Sequence, residues 1–187
     1  MKKTLLIMAV CALLSTSAMA ADFIQGGYYG GVGMGFEDYS DYASYDPGVT
    51  LVLNGGKPVI MLGPGVLGAE GELTYTLIPL KTDHRYYKDE LTITTLGAYA
   101  TYTYDFTNSL YARGKLGIIY RDYDHDSRFY YQNYRRDDRF RSSSRANFAV
   151  GVGGGYKITD RIRIFSDLIL LDSFDLKQLN FGVQMSF

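Results

Sequence analysis

The last ten residues of the chain alternate without a break. Leu179, Phe181, Val183, Met185 and Phe187 fall on one side of an extended backbone, and Gln178, Asn180, Gly182, Gln184 and Ser186 on the other. Successive side chains of a β-strand point to opposite faces, so this is a strand with one apolar and one polar face. It stops on an aromatic residue at the carboxyl terminus.

The same period recurs upstream. Tyr28, Val32, Met34 and Phe36 oppose Gly27, Gly31, Gly33 and Gly35. Leu67, Ala69, Leu73, Tyr75 and Leu77 oppose Glu70, Glu72, Thr74 and Thr76. Leu96, Ala98, Ala100 and Tyr102 oppose Gly97, Tyr99 and Thr101. Leu110, Ala112, Leu116 and Ile118 oppose Tyr111, Arg113, Lys115 and Arg121. Phe148, Val150 and Val152 oppose Asn147, Ala149 and Gly151. Ile162, Ile164, Leu168 and Leu170 oppose Arg161, Arg163 and Asp167, with Ser166 a polar exception. The stretch 49–61 alternates least, because Gly55, Gly56 and Pro58 interrupt it. Eight strands are expected, near 26–37, 48–61, 66–79, 91–106, 109–122, 145–158, 161–172 and 176–187. Each is long enough to cross a bilayer as a tilted strand of roughly 9–11 residues.

The first three long connections, 38–47, 81–90 and 122–144, alternate with the short turns 63–65, 107–108 and 159–160. Barrels of outer membranes have short periplasmic turns and longer outside loops. An even strand count then puts both termini in the periplasm. The charges fall on the face opposite the apolar one. In a lipid-immersed barrel that face is the interior, and closure removes the sheet edges that lipid cannot hydrogen-bond. Glu70, Glu72, Arg113, Lys115, Arg163 and Asp167 are therefore candidates for interior ion pairs. A soluble sandwich or lipocalin-like barrel would bury the apolar face instead and leave the glycine face of the first strand in water. The expected fold is all-β, an eight-stranded antiparallel up-and-down transmembrane β-barrel.

The first twenty residues read differently. Lys2 and Lys3 precede an apolar run from Leu5 to Leu14, and Ala18-Met19-Ala20 is a small-x-small cleavage site. This is a secretory signal peptide over 1–20, with the barrel domain over 21–187. Cys11, the single cysteine, leaves with it, so neither a disulfide nor thiol chemistry is expected. Without Lys2 and Lys3 the 19 basic residues become 17 against 20 acidic ones, a net charge of −3 that gives no reason to expect nucleic acid. The 18 Tyr and 21 Gly suit aromatic girdles and closely packed strands.

The opening Gly26-Gly27-Tyr28-Tyr29-Gly30-Gly31-Val32-Gly33-Met34-Gly35 and the closing Leu179-Asn180-Phe181-Gly182-Val183-Gln184-Met185-Ser186-Phe187 carry a resemblance across the expected mature chain. It resembles the small eight-stranded outer-membrane barrel proteins of the OmpA/OmpX type, barrel only, within a porin-like superfamily. The resemblance implies a cell outer-membrane location among lipid and lipopolysaccharide. It also implies that the outer-membrane assembly machinery reads the terminal aromatic strand, with Phe181 and Phe187 as the insertion signal.

Three functions follow from such a chain. The first is non-enzymatic, a structural or surface-interaction role through the extracellular loops, since an eight-stranded interior is just wide enough to fill with side chains. The loop 122–144 carries Arg128, Arg135, Arg136, Arg139 and Arg141 interleaved with tyrosines, a set suited to anions on lipopolysaccharide or a host surface. Five aspartates alongside make a self-paired, solvated loop the plainer reading. The second is a narrow small-solute pore. The third is a lipid A acyl-modifying enzyme, for which His125-Asp126-Ser127 is the nearest local signature; His125 and Ser127 share a face only if the strand runs that far. No cofactor or metal is expected, because no Cys/His cluster has ligand spacing and the glycine run opens no helix.

Overall fold

The computed structural model describes residues 27–39, 46–84, 87–129, 137–139, 143–171 and 176–187. The expected signal peptide lies outside them. Among the described residues ten strands form in chain order: β1 Tyr29–Tyr39, β2 Gly48–Leu62, β3 Gly65–Ile78, β4 Leu80–His84, β5 Tyr87–Asp105, β6 Leu110–Phe129, β7 Asp137–Arg139, β8 Ser143–Lys157, β9 Ile162–Leu171 and β10 Leu176–Ser186. All pairings are antiparallel. The sheet closes on itself through β5 with β6 and β1 with β10.

The ten strands make eight staves. β4 continues β3 along the same edge of β5, and β7 and β8 lie along the same edge of β6. The break between β3 and β4 is a bulge. Tyr75 pairs with Thr94 and Leu80 with Leu91, so residues 76–79 oppose only 92–93. Pro79 has no N–H to give to a ladder. Thr76 stands in for the missing main chain. Its hydroxyl accepts from Ile93 N at 3.0 Å and donates to Ile93 O at 2.8 Å.

The long connections are shorter than the sequence implies. β6 runs to Phe129 and β5 begins at Tyr87, so much of 122–144 and 81–90 is paired hairpin. The polar composition that marks these segments as loops also suits strands with no lipid or core to face.

The stagger follows from the register. Stepping across paired residues from Tyr29 leads to Gly56, Glu70, Tyr99, Gly117, Ala149, Leu171 and Leu176, and returns to β1 at Tyr39. The circuit climbs from residue 29 to 39 of β1. With strand spacings near 4.8 Å and rises near 3.3 Å, eight staves then tilt by about 41°.

The outer surface is apolar from β1 to β10, with Val32, Met34, Leu116, Ile118, Phe148 and Val152 exposed. In water this area would be a large liability; in a bilayer it is the required face. Among the described residues no helix is long and apolar enough to cross a membrane.

Candidate functional site

Two layers fill the barrel interior. The layer nearer the short turns is ionic. Arg113 on β6 donates from Nε to Asp167 Oδ1 of β9 at 2.8 Å, and its Nη2 holds Asp167 Oδ2. Its Nη1 lies 3.1 Å from Glu70 Oε2 and 3.4 Å from Gln184 Oε1. Lys115, one inward position further along β6, sits 2.5 Å from Glu70 Oε1, 3.0 Å from Glu72 Oε2 and 2.8 Å from Asp167 Oδ2. Tyr29 OH donates to Glu70 at 2.6 Å. Gln184 Nε2 donates to Asn54 Oδ1 at 3.0 Å, reaching over Gly31 of the intervening strand. All five charged groups are buried. Such charges persist away from water only when geometry and further hydrogen bonds offset desolvation, and this network supplies both.

Of the six ion-pair candidates, five meet in this network. Arg163 does not join it. Its guanidinium lies over the rings of Tyr29 at 4.4 Å and Tyr111 at 5.6 Å. Aromatic faces take a planar cation well, so two rings stand where a carboxylate was expected.

Glycines make room for the large inward residues. A Cβ on Gly97 or Gly117 would strike the Tyr99 ring, one on Gly56 the Tyr29 ring, and one on Gly155 the Tyr111 ring. The abundance of Tyr and Gly therefore has a cause inside the barrel as well as at the girdles.

The layer nearer the long hairpins mixes an apolar cluster with buried Thr50, Thr76, Thr95 and Gln178. Leu80, Leu91, Ile93, Ile119, Ile169 and Leu171 point inward and cluster with Tyr99, Tyr123 and Ala149. Glu37 and Arg121 are fully buried at this end, and Arg121 Nη1 donates to Tyr123 OH at 2.6 Å. The sequence leads one to expect a polar interior, and the inward Leu80, Leu91, Ile93, Ile119, Ile169 and Leu171 depart from it. Buried Gln178, Asn180 and Gln184 of β10 and Glu70, Glu72, Thr74 and Thr76 of β3 carry polar groups along the described interior beside this cluster.

The remaining candidates lie elsewhere. Phe181 and Phe187 are exposed on the lipid face. Phe181 packs on Phe36 with ring centroids 5.8 Å apart, and Phe187 N donates to Tyr28 O at 2.8 Å. Arg128 and Arg139 are on strands, in register with Asp137 and Asp126. Arg135, Arg136 and Arg141 lie outside the described residues. His125 and Ser127 are alternate positions of β6, paired with Leu91 and Asp89, so the strand does run that far. Among the described residues no group of His, Cys, Asp and Glu could hold a metal ion.

Residues 6–187 match the family model described as outer membrane protein beta-barrel domain. Among solved structures, Neisserial surface protein A is similar at 11% identity and a TM-score of 0.59, over 88% of this chain and 100% of that one. OprG of Pseudomonas aeruginosa is similar at 15% identity and a TM-score of 0.58, over 87% and 96%. Ail, the attachment invasion locus protein of Yersinia pestis, in complex with the heparin analogue sucrose octasulfate, is similar at 13% identity and a TM-score of 0.53, over 87% and 97%. These likenesses show the fold. No curated protein sequence matches the chain.

Proposed function

Since the chain belongs to the outer membrane protein β-barrel family and so to the cell outer membrane, we propose that it is a non-enzymatic surface-interaction protein whose work is done by its outer hairpins. Both termini lie in the periplasm in this reading. The observation that carries it is the contrast between a filled interior and long projecting strands. Arg113, Lys115, Glu70, Glu72 and Asp167 are packed into one half of the interior, and an apolar cluster with Glu37 and Arg121 into the other. β5 and β6, of 19 and 20 residues, outrun the roughly 9–11 needed to cross a bilayer. The excess has no membrane to span and is available for contact.

The partner class is a polyanion, either lipopolysaccharide phosphate or a sulfated host glycan. Arg128, Arg135, Arg136, Arg139 and Arg141 provide forked donors within fourteen residues of sequence, and such forks match phosphate and sulfate oxygens. The Ail structure with sucrose octasulfate gives a precedent for an anionic ligand on this fold. Deleting residues 126–141 tests the proposal. The barrel is expected to insert normally and to lose binding to immobilised heparin and to lipopolysaccharide. Unchanged binding of both by the inserted deletion variant would end this reading.

A further inference from the structure

The three short turns at one end of the barrel are built in two ways. Phe106 and Ile158 lead into two of them with exposed apolar side chains, but Thr107–Ser109 and Thr159–Arg161 are polar and share one design. Thr107 Oγ1 accepts from the N–H groups of Ser109 and Leu110, and Thr159 Oγ1 from those of Arg161 and Ile162. Both suit an aqueous compartment, where hydroxyl, amide and charged groups stay hydrated.

The β2–β3 turn has none of this. From Pro58 to Ala69 no side chain is polar. Gly63, at φ 58°, takes the left-handed position that a two-residue hairpin of this kind requires. Val59, Ile60, Met61 and Leu62 are all exposed, Met61 by 75%. Alternation alone does not explain four in a row. Ile60 pairs with Leu67 on the lipid side, whereas Met61 pairs with Val66 on the lumen side. The lumen side is open because the β1–β2 ladder ends at Tyr29 and Gly56, while β2 continues along β3 to Leu62. A bulge between Pro58 and Ile60 bends the strand there. Lys57, the last charge before the tip, holds its ammonium 5.2 Å from the Tyr28 ring centroid, and Tyr102 OH donates to Leu62 O at 3.1 Å.

We propose that this hairpin tip is a lipid anchor, with both faces of residues 59–62 lying in the headgroup–acyl boundary of the adjoining leaflet while the two polar turns stay in water. Lipid is the occupant because the tip is continuous with the barrel's lipid face through Ile60, Leu62 and Leu67, and because Lys57 and Tyr28 flank it as interfacial residues do. The tip therefore fixes the depth and tilt of the barrel on the β2–β3 side.

The protein contains no Trp, so one introduced indole reports alone. Met61→Trp and Asn108→Trp barrels are refolded into vesicles of phosphatidylethanolamine and phosphatidylglycerol, with and without bromine on the acyl chains. Folding is checked by heat-modifiable gel mobility. The Met61→Trp emission is expected to be blue-shifted and quenched at least about twofold by brominated lipid, with Asn108→Trp water-like and unquenched. Met61→Trp emission quenched by aqueous iodide instead overturns the proposal. So does emission shielded from both quenchers, which would mean a protein partner, and so does equal bromine quenching at both turns. Leu62→Trp replaces Met61→Trp if that variant does not fold.

Discussion

Arg113 and Asp167 meet inside the barrel through two parallel hydrogen bonds, from Nε to Oδ1 and from Nη2 to Oδ2, although they belong to strands separated by β8. The same carboxylate also accepts Lys115. Removing one partner strands the others without water. Arg113→Met is expected to destabilise the barrel by about 3–5 kcal/mol, and Arg113→Met with Asp167→Leu by much less than the sum of the two single changes. Urea unfolding in lipid vesicles, followed by circular dichroism, measures both. Additive losses would contradict a coupled pair.

Glycine positions differ in what they tolerate. Gly117→Ala places a methyl group against Ala98 O and the Tyr99 ring, whereas Gly114→Ala meets nothing within 4 Å. The first is expected to cost about 1–3 kcal/mol, and the second to stay within about 0.5 kcal/mol. The same unfolding assay ranks them, and equal effects would refute the ring-over-glycine account.

Thr76→Val keeps the shape of the bulge but removes the hydroxyl that serves both Ile93 N and Ile93 O. Two buried main-chain groups lose their partner at once. A loss of about 1–3 kcal/mol is expected, with faster amide exchange at Ile93. Protection at Ile93 equal to the parent protein's would show that the main chain finds another partner.

Deletion of Phe187 removes one main-chain hydrogen bond to Tyr28 and one lipid-facing ring. Refolding into vesicles is expected to remain near normal, while outer-membrane yield in cells falls several-fold. Normal yield with normal heat-modifiable mobility would rule out an insertion signal there.

The buried network around Arg113 and Lys115 and the apolar cluster beyond it predict no reproducible single-channel step in planar bilayers. A step that survives deletion of the outer hairpin and disappears on substitution of Lys115 would favour a pore instead.

The wall of the barrel is legible in the sequence because one face meets lipid and the other does not. Where that contrast fades, so does the reading. Residues Leu168 to Leu171 are apolar at both parities, since the inward Ile169 and Leu171 pack on one another's neighbours in the upper interior. Period two then carries no sign of which side is inside. Ion-pair candidates could be chosen by parity, and Arg113, Lys115, Glu70, Glu72 and Asp167 do converge. Arg163 obeys the same parity yet stacks on Tyr29 and Tyr111, because a partner depends on which strands are neighbours and how they are staggered. Parity likewise does not distinguish the fully buried Glu37 and Arg121 from other inward charges. Bulges and hairpin extensions are set by main-chain pairing, to which a polar run gives no period.

The climb from Tyr29 to Tyr39 around the wall has a consequence for how such a protein can change. Ten is even, and it must be. An odd offset would bring an inward residue of the first strand back to meet an outward residue of the last, and a closed wall cannot contain that mismatch. A single inserted residue within a stave therefore has no harmless sliding response. It must be expelled locally, as the irregularities at Pro58–Ile60 and 76–79 do, or be matched by a second insertion. Length is free to drift in the hairpin ends, and inside the wall only in steps of two.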